Sequence, residues 1–257
     1  MSAEKLEKKE QETLTDCLFK STLGLKIVEA VLPFVSKHLE EALNTKADYN
    51  TLGTDNEKKL KETVYLHGKL GTVIKDIEKT IGFLRLKDRK IIKEYYPLLE
   101  DDRDYYNYFF ENYLIRVASI PDALGILANH INEWGYKHCY GTVVVIDNKK
   151  KVSQEEKDVM TKLLDKIETI RKKRHKKVHE GETDIDYLSG IAFWGDILKE
   201  DFKGKDLLEK WADKQVNEEI DSVEKEMTEI ITIVVEYLDI LAPKIDKWID
   251  KKEETKQ

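Results

Sequence analysis

Apolar residues along this chain recur at steps of three and four almost from end to end, the period of a helix with one buried face. The pattern is clearest near the C-terminus. Val216, Ile220, Val223, Met227, Ile230, Val234, Tyr237 and Leu241 alternate steps of four and three. An apolar heptad register of that length has to be buried against other helices, and it reads as a bundle seam ahead of a dimer interface. A second stripe, Met160, Leu163, Leu164, Ile167 and Ile170, belongs to a helix opened by the capping box of Ser153 and Glu156. That helix is expected to run to about Val178 and to stop at Gly181.

Upstream, Leu14 to Leu43 carries Leu18, Leu25, Val28, Leu32 and Val35, with Pro33 as an expected kink or break. Turn chemistry at Thr51–Asp55 precedes a helix over about Glu57–Phe83 that Thr54 or Asp55 can cap. A short fourth helix ends at Pro97. Asp101 and Asp102 open a long aromatic helix, Asp104–Trp134, which Pro121 should bend. The one β-like stretch is Thr142–Ile146 (TVVVI), followed by a charged turn, so the chain holds at most a short hairpin near 142–151. The expected fold class is all-α, a helical bundle with short loops.

Composition agrees: 12 Gly and 4 Pro in 257 residues are few for a loop-rich or all-β protein. No apolar run approaches the roughly 20 residues of a membrane span; the longest, Ile230–Tyr237, is broken by Thr232 and Glu236. The charged first residues are not a secretory leader, and Cys17 and Cys139 form neither a metal-ligand pattern nor a disulfide framework. The expected setting is therefore the cytoplasm, with both thiols reduced. Met1–Lys9 and Lys251–Gln257 are charged tails. The formal charge of −7 repels nucleic acid as a whole, so any RNA contact requires a local basic patch.

Such a patch exists. Arg171, Lys172, Lys173, Arg174, His175, Lys176 and Lys177 hold six permanent cations in seven positions. Cations favour a helix C-terminus because they complement its dipole, which explains one or two of them. Arg and Lys are also the residues that hold phosphate oxygens, and six suit that use better. On a wheel of about 100° per residue, Arg174 falls on the same arc as Met160, Leu163, Ile167 and Ile170. A cation at a core-facing position is costly unless it is paired or sits at an opening.

Arg174-x4-His179, with polar His175 directly after the arginine on a bundle helix, resembles the R-x(4–6)-H motif of the HEPN superfamily. Tyr113, Arg116, Ser119 and Asp122 on the preceding long helix resemble the helix that comes before that motif in some HEPN families. The resemblance implies a HEPN-type bundle over 101–250, with residues 1–100 as additional N-terminal helices packed on it and 251–257 as a tail. It implies a metal-independent endoribonuclease of toxin–antitoxin or phage-defence type, acting on RNA without a cofactor. It assigns Arg174 and His179 the catalytic roles and His175, Arg171, Lys172, Lys173, Lys176 and Lys177 secondary RNA-binding roles, with Arg116 and Asp122 in support. It also implies a homodimer, and an antitoxin or regulatory protein as a further partner.

RNA supplies its own nucleophile, the 2′-OH, so histidine acid–base help and an arginine on the phosphate suffice for cleavage. Residues five apart on a regular helix are rotated by about 140°. Either the helix ends or distorts near Val178, or two subunits combine their motifs. Other readings of these residues are weaker. His175 and His179 have the spacing of two zinc ligands, but Lys176 stands where HExxH needs Glu and the cationic neighbours repel a metal. Tyr105, Tyr106, Tyr108, Phe109 and Phe110 read as core rather than a base-stacking platform. The competing class is a non-catalytic helical module that binds RNA, a nucleotide or a partner protein.

Overall fold

In the computed structural model, residues 13–86, 102–147, 150–180 and 205–249 are described. They form seven α-helices and no strand: α1 (Leu14–Phe19), α2 (Thr22–Thr45), α3 (Asp55–Leu84), α4 (Asp102–Asn132), α5 (Gly141–Val145), α6 (Gln154–Glu180) and α7 (Lys205–Leu241). Single 3-10 turns at Tyr49–Thr51 and Ala242–Trp248 complete the set. The expected short helix ending at Pro97, the stop at Gly181 and both tails lie outside the described residues.

Local chemistry starts the helices where the sequence places caps. Thr13 and Asp16 form a capping box for α1, and Thr54 and Glu57 form one for α3. Ser153 and Glu156 do the same for α6: the Glu156 amide donates to Ser153 Oγ and the Ser153 amide to Glu156 Oε2. Glu156 is fully buried, and Lys244 and Asn132 each reach its carboxylate at 2.8 Å. One side chain thus ties the start of α6 to the end of α4 and to the 3-10 turn after α7.

The long helices α3, α4, α6 and α7 run up, down, up and down. Each junction has a polar marker that fixes its register. Asp76 of α3 meets Arg116 of α4 at 2.8 Å. Asn132 of α4 meets Glu156 of α6, and Lys162 of α6 meets Glu236 of α7 at 2.6 Å. Arg85 closes the ring from the end of α3 onto Asp221 and Glu224 of α7. Every residue of the α7 heptad is buried, so the stripe is a seam within the chain. Met160, Leu163, Ile167 and Ile170 face it, while Leu164 is only half-buried. Burying an aliphatic side chain of this size stabilises by about 1.5–3 kcal/mol.

Two prolines fall inside helices. α2 continues through Pro33 and α4 through Pro121; the break in the first segment comes instead at Ser21, whose side chain caps α2. The stretch around Thr142–Ile146 is a helix, α5, and not a hairpin. Tertiary packing overrides the β preference of its valines. Gly141 sits so close to Pro121 that an added Cβ would stand 2.5 Å from that ring, and Val144 is fully buried beneath it. Of the apolar positions expected to face inward along Leu14–Leu43, Leu18 is buried and Val35 half-buried, but three are not. Leu23, Ile27, Phe34 and His38 turn inward, while Leu25, Val28 and Leu32 are exposed.

α1 occupies the groove between α3 and α7, with Leu18 fully buried there. Phe19 lies edge-on to His67, ring centroids 5.5 Å apart. His67 is buried with Nε2 unpartnered, and desolvation holds its pKa down at about 4, against a hydrogen bond with the Leu18 backbone that raises it. The folded state therefore favours neutral His67, and its contribution is fully present above the unfolded value of about 6.5. As pH falls from 6.5 towards 4 the unfolded chain takes up the proton first, so stability falls by about 3 kcal/mol. Chemical denaturation of the wild type and His67→Gln over this range should show a stability gap that shrinks on acidification. A gap independent of pH would contradict this role.

Candidate functional site

α6 carries the basic run at its far end. From the Ser153 cap the helix continues without interruption to Glu180, close to the expected end at about Val178. Its buried stripe steps through Leu163, Ile167 and Ile170, and the next position in that register is Arg174. The backbone of Arg171 and of 173–180 is helical, and their side chains lie outside the described residues. Lys172 is described: it is exposed and pairs with Glu168 one turn back at 3.5 Å.

The antiparallel register of α6 on α7, set by Lys162–Glu236 and Lys166–Glu229, locates the motif. Arg174 lies level with the turn of α7 that holds Ile220 and Val223, and His179 level with Val216. This is the end of the bundle where α3 finishes and α4 begins, since the Tyr105 hydroxyl donates to the Phe83 carbonyl there. α7 is acidic on this level, but several of its carboxylates are occupied by other elements. Arg85 takes Asp221 and Glu224, which raises its pKa above the usual guanidinium value. The Tyr113 hydroxyl meets Glu226 at 3.2 Å, and Lys214 pairs with Glu218. Burial together with that carboxylate pushes the Tyr113 phenol well up from its usual value.

Tyr113, Arg116, Ser119 and Asp122 all fall on α4, the helix packed directly against α6. They do not converge. Tyr113 turns to α7, Arg116 to Asp76 of α3, and Asp122 accepts from the Gly141 amide of α5 at 3.4 Å. Ser119 Oγ donates to the Arg116 carbonyl. Hydrogen bonds from Lys79 and attraction to Arg116 hold Asp76 below its ordinary value, against desolvation that raises it. The Nε of Arg116 is buried and has no partner. Arg85 is what the sequence reading left without a role. Its partners lie more than a hundred residues away, and no local spacing marks such a pair.

The HEPN_Cthe2314-like HEPN family model matches residues 57–247, which takes in α3 through α7 and the whole R-x4-H segment. The chain belongs to the HEPN superfamily. HEPN domains are all-α, and this one is helical throughout its described residues. No curated protein and no solved structure matches the chain. Among the described residues, no helix of this HEPN protein is long and apolar enough to cross a membrane, and no group of His, Cys, Asp and Glu is placed to hold a metal.

Proposed function

We propose that this HEPN protein is a metal-independent endoribonuclease of toxin or defence type, with Arg174 and His179 from two subunits forming a composite site. HEPN domains are commonly ribonucleases. The observation that carries the reading is the position of the R-x4-H segment. It lies inside the matched range, on a helix whose buried stripe leads straight to the Arg174 register position, within the densest cationic run of an acidic chain. The uninterrupted course of α6 favours the two-subunit version. With no helix end at Val178, positions 174 and 179 are rotated by about 140° from one another. A single helix then serves one phosphate poorly with both side chains, and a two-fold axis brings Arg174 of one subunit towards His179 of the other.

In this mechanism the 2′-oxygen attacks the adjacent phosphorus, the bond to the 5′-oxygen breaks, and a cyclic phosphate and a 5′-hydroxyl result. His179 moves a proton, either from the 2′-OH or to the departing 5′-oxygen; the unperturbed imidazole pKa of about 6.5 suits both. Arg174 holds two phosphoryl oxygens and offsets the charge that builds in the transition state. His175, Arg171, Lys172, Lys173, Lys176 and Lys177 provide the field and the backbone contacts that hold RNA on an otherwise repelling surface. Arg116 lies within about two turns of that run along the α4–α6 contact, and with Asp122 it supports the packing beneath. An antitoxin or regulatory protein covering this end of the bundle would restrain the activity.

Induced expression in a bacterial host should arrest growth and degrade total RNA. Arg174→Ala and His179→Ala, folded as judged by circular dichroism, should each lower the cleavage rate by about 10²–10⁴-fold. If all three proteins leave growth and RNA intact, the site is a binding surface and not a catalytic one. RNA affinity tests the patch separately. Each of Lys172, Lys173, Lys176 and Lys177 changed to Gln should flatten the plot of log K against log salt by about 0.7 for single-stranded RNA. An unchanged slope would remove these lysines from the interface.

A further inference from the structure

α2 carries a second apolar stripe that the described residues leave largely exposed, with only Val35 and Ala42 half-buried. Leu25, Val28, Leu32, Val35, Leu39 and Ala42 follow one another at strict steps of three and four, and Leu43 flanks the last of them. Leu25 is 54% exposed, Leu32 63% and Leu43 82%. A neighbouring face of the same helix, about 120° round, is packed inward through Ile27, Phe34 and His38. A helix that buries one face and presents an apolar heptad on another is built to lie between two bodies.

We propose that α2 pairs antiparallel with α2 of a second copy, across a two-fold axis passing between Pro33 and Phe34. The register is self-complementary. That axis sets Leu32 against Val35, Val28 against Leu39 and Leu25 against Ala42, so every apolar position meets an apolar position. Antiparallel alignment also opposes the two helix dipoles. The nearest charged residue on the flank, Glu29, falls near Ser36 of the second copy and not near another acid.

Beside the stripe, Val31, Val35, Val64, Tyr65 and the buried Lys61 line a cleft of about 260 Å³ between α2 and α3. Lys61 is held there by the Tyr49 and Leu52 carbonyls, so its ammonium is satisfied and the opening that remains is apolar. Leu32 of the second copy comes level with this cleft. The strip formed by α2 and α3 is two helix diameters wide and 24 residues long, about 700 Å² in footprint. A standard dimer interface takes about 800 Å² from each partner.

The charged ends of the chain are poor occupants of an apolar face. Residues 1–12 and 250–257 hold little beyond charged and polar side chains, with Met1, Ala3 and Leu6 the exceptions. The motif end is the one where α3 and α6 finish and α7 begins. α2 lies at the other end, where Thr22 meets Asp239 and His38 meets Glu57. That separation also makes this interface distinct from the one proposed for Arg174 and His179. Two isologous contacts at opposite ends of a subunit build an assembly larger than a dimer.

Light scattering on the purified full chain, without RNA, tests the surface independently of nuclease activity. Leu32→Glu/Leu39→Glu should lower the wild-type mass by a factor of two or more at equal concentration while keeping the helical signal. Cysteine pairs read the register in a Cys17→Ala background. Oxidised Val28→Cys/Leu39→Cys should run as a covalent dimer, and Leu25→Cys/Leu32→Cys should not. A monomeric wild type, equal masses for two folded proteins, or cross-linking only in the second pair would each overturn the proposal. Should the glutamate variant fail to fold, the cysteine pairs decide alone.

Discussion

The antiparallel seam between α6 and α7 sets where everything else in the molecule falls. Ile167 and Ile170 on one side and Met227, Ile230 and Val234 on the other are buried to within a few per cent. Sliding either helix by one turn would expose part of that set and separate Lys162 from Glu236. With the register fixed, the cap at Ser153 and the buried Glu156 hold one end of α6. The basic run is then carried to the opposite end, a helix length of about 40 Å away. The candidate segment therefore falls at the end of a continuous core. The heptad that builds the seam is the same one that brings Arg174 into line.

The seam also pairs charges between helices. Along the described part of α7, Glu229 and Glu236 are taken by lysines of α6, and Asp221 and Glu224 by Arg85. Four carboxylates of α7 are thus paired within the bundle. Ion pairs that are half exposed contribute little stability individually, about 0–1 kcal/mol. Their larger effect is to pin register.

Much of the fold was legible because helical periodicity is a local signal. The α7 heptad, the Ser153–Glu156 capping box and the stripe on α6 each lie within a few turns of sequence, and each is found as read. Three features were not legible, for physical reasons. Five residues with valine at their centre become α5 because Gly141 fits against Pro121, a contact between residues twenty apart. α2 offers two apolar faces, and nothing in its own sequence says which one α1, α3 and α7 will cover. Arg85 reaches α7 from the far side of the ring, and such a pair leaves no mark in local spacing. At the candidate site, the motif and its helix were readable from residue types and spacing. How Tyr113, Arg116 and Asp122 diverge towards α7, α3 and α5 was not, since three different neighbours decide it.

Mixing the two single variants tests the composite site most directly. Arg174→Ala and His179→Ala, each inactive alone, are denatured together and refolded so that subunits exchange at random. The account predicts that activity returns, because a mixed pair rebuilds one intact site from the wild-type Arg174 of one subunit and the wild-type His179 of the other. About a quarter of wild-type activity should reappear, from half the dimers carrying one site of two. A mixture as inactive as its components, in subunits shown to have exchanged, would contradict a site shared between subunits.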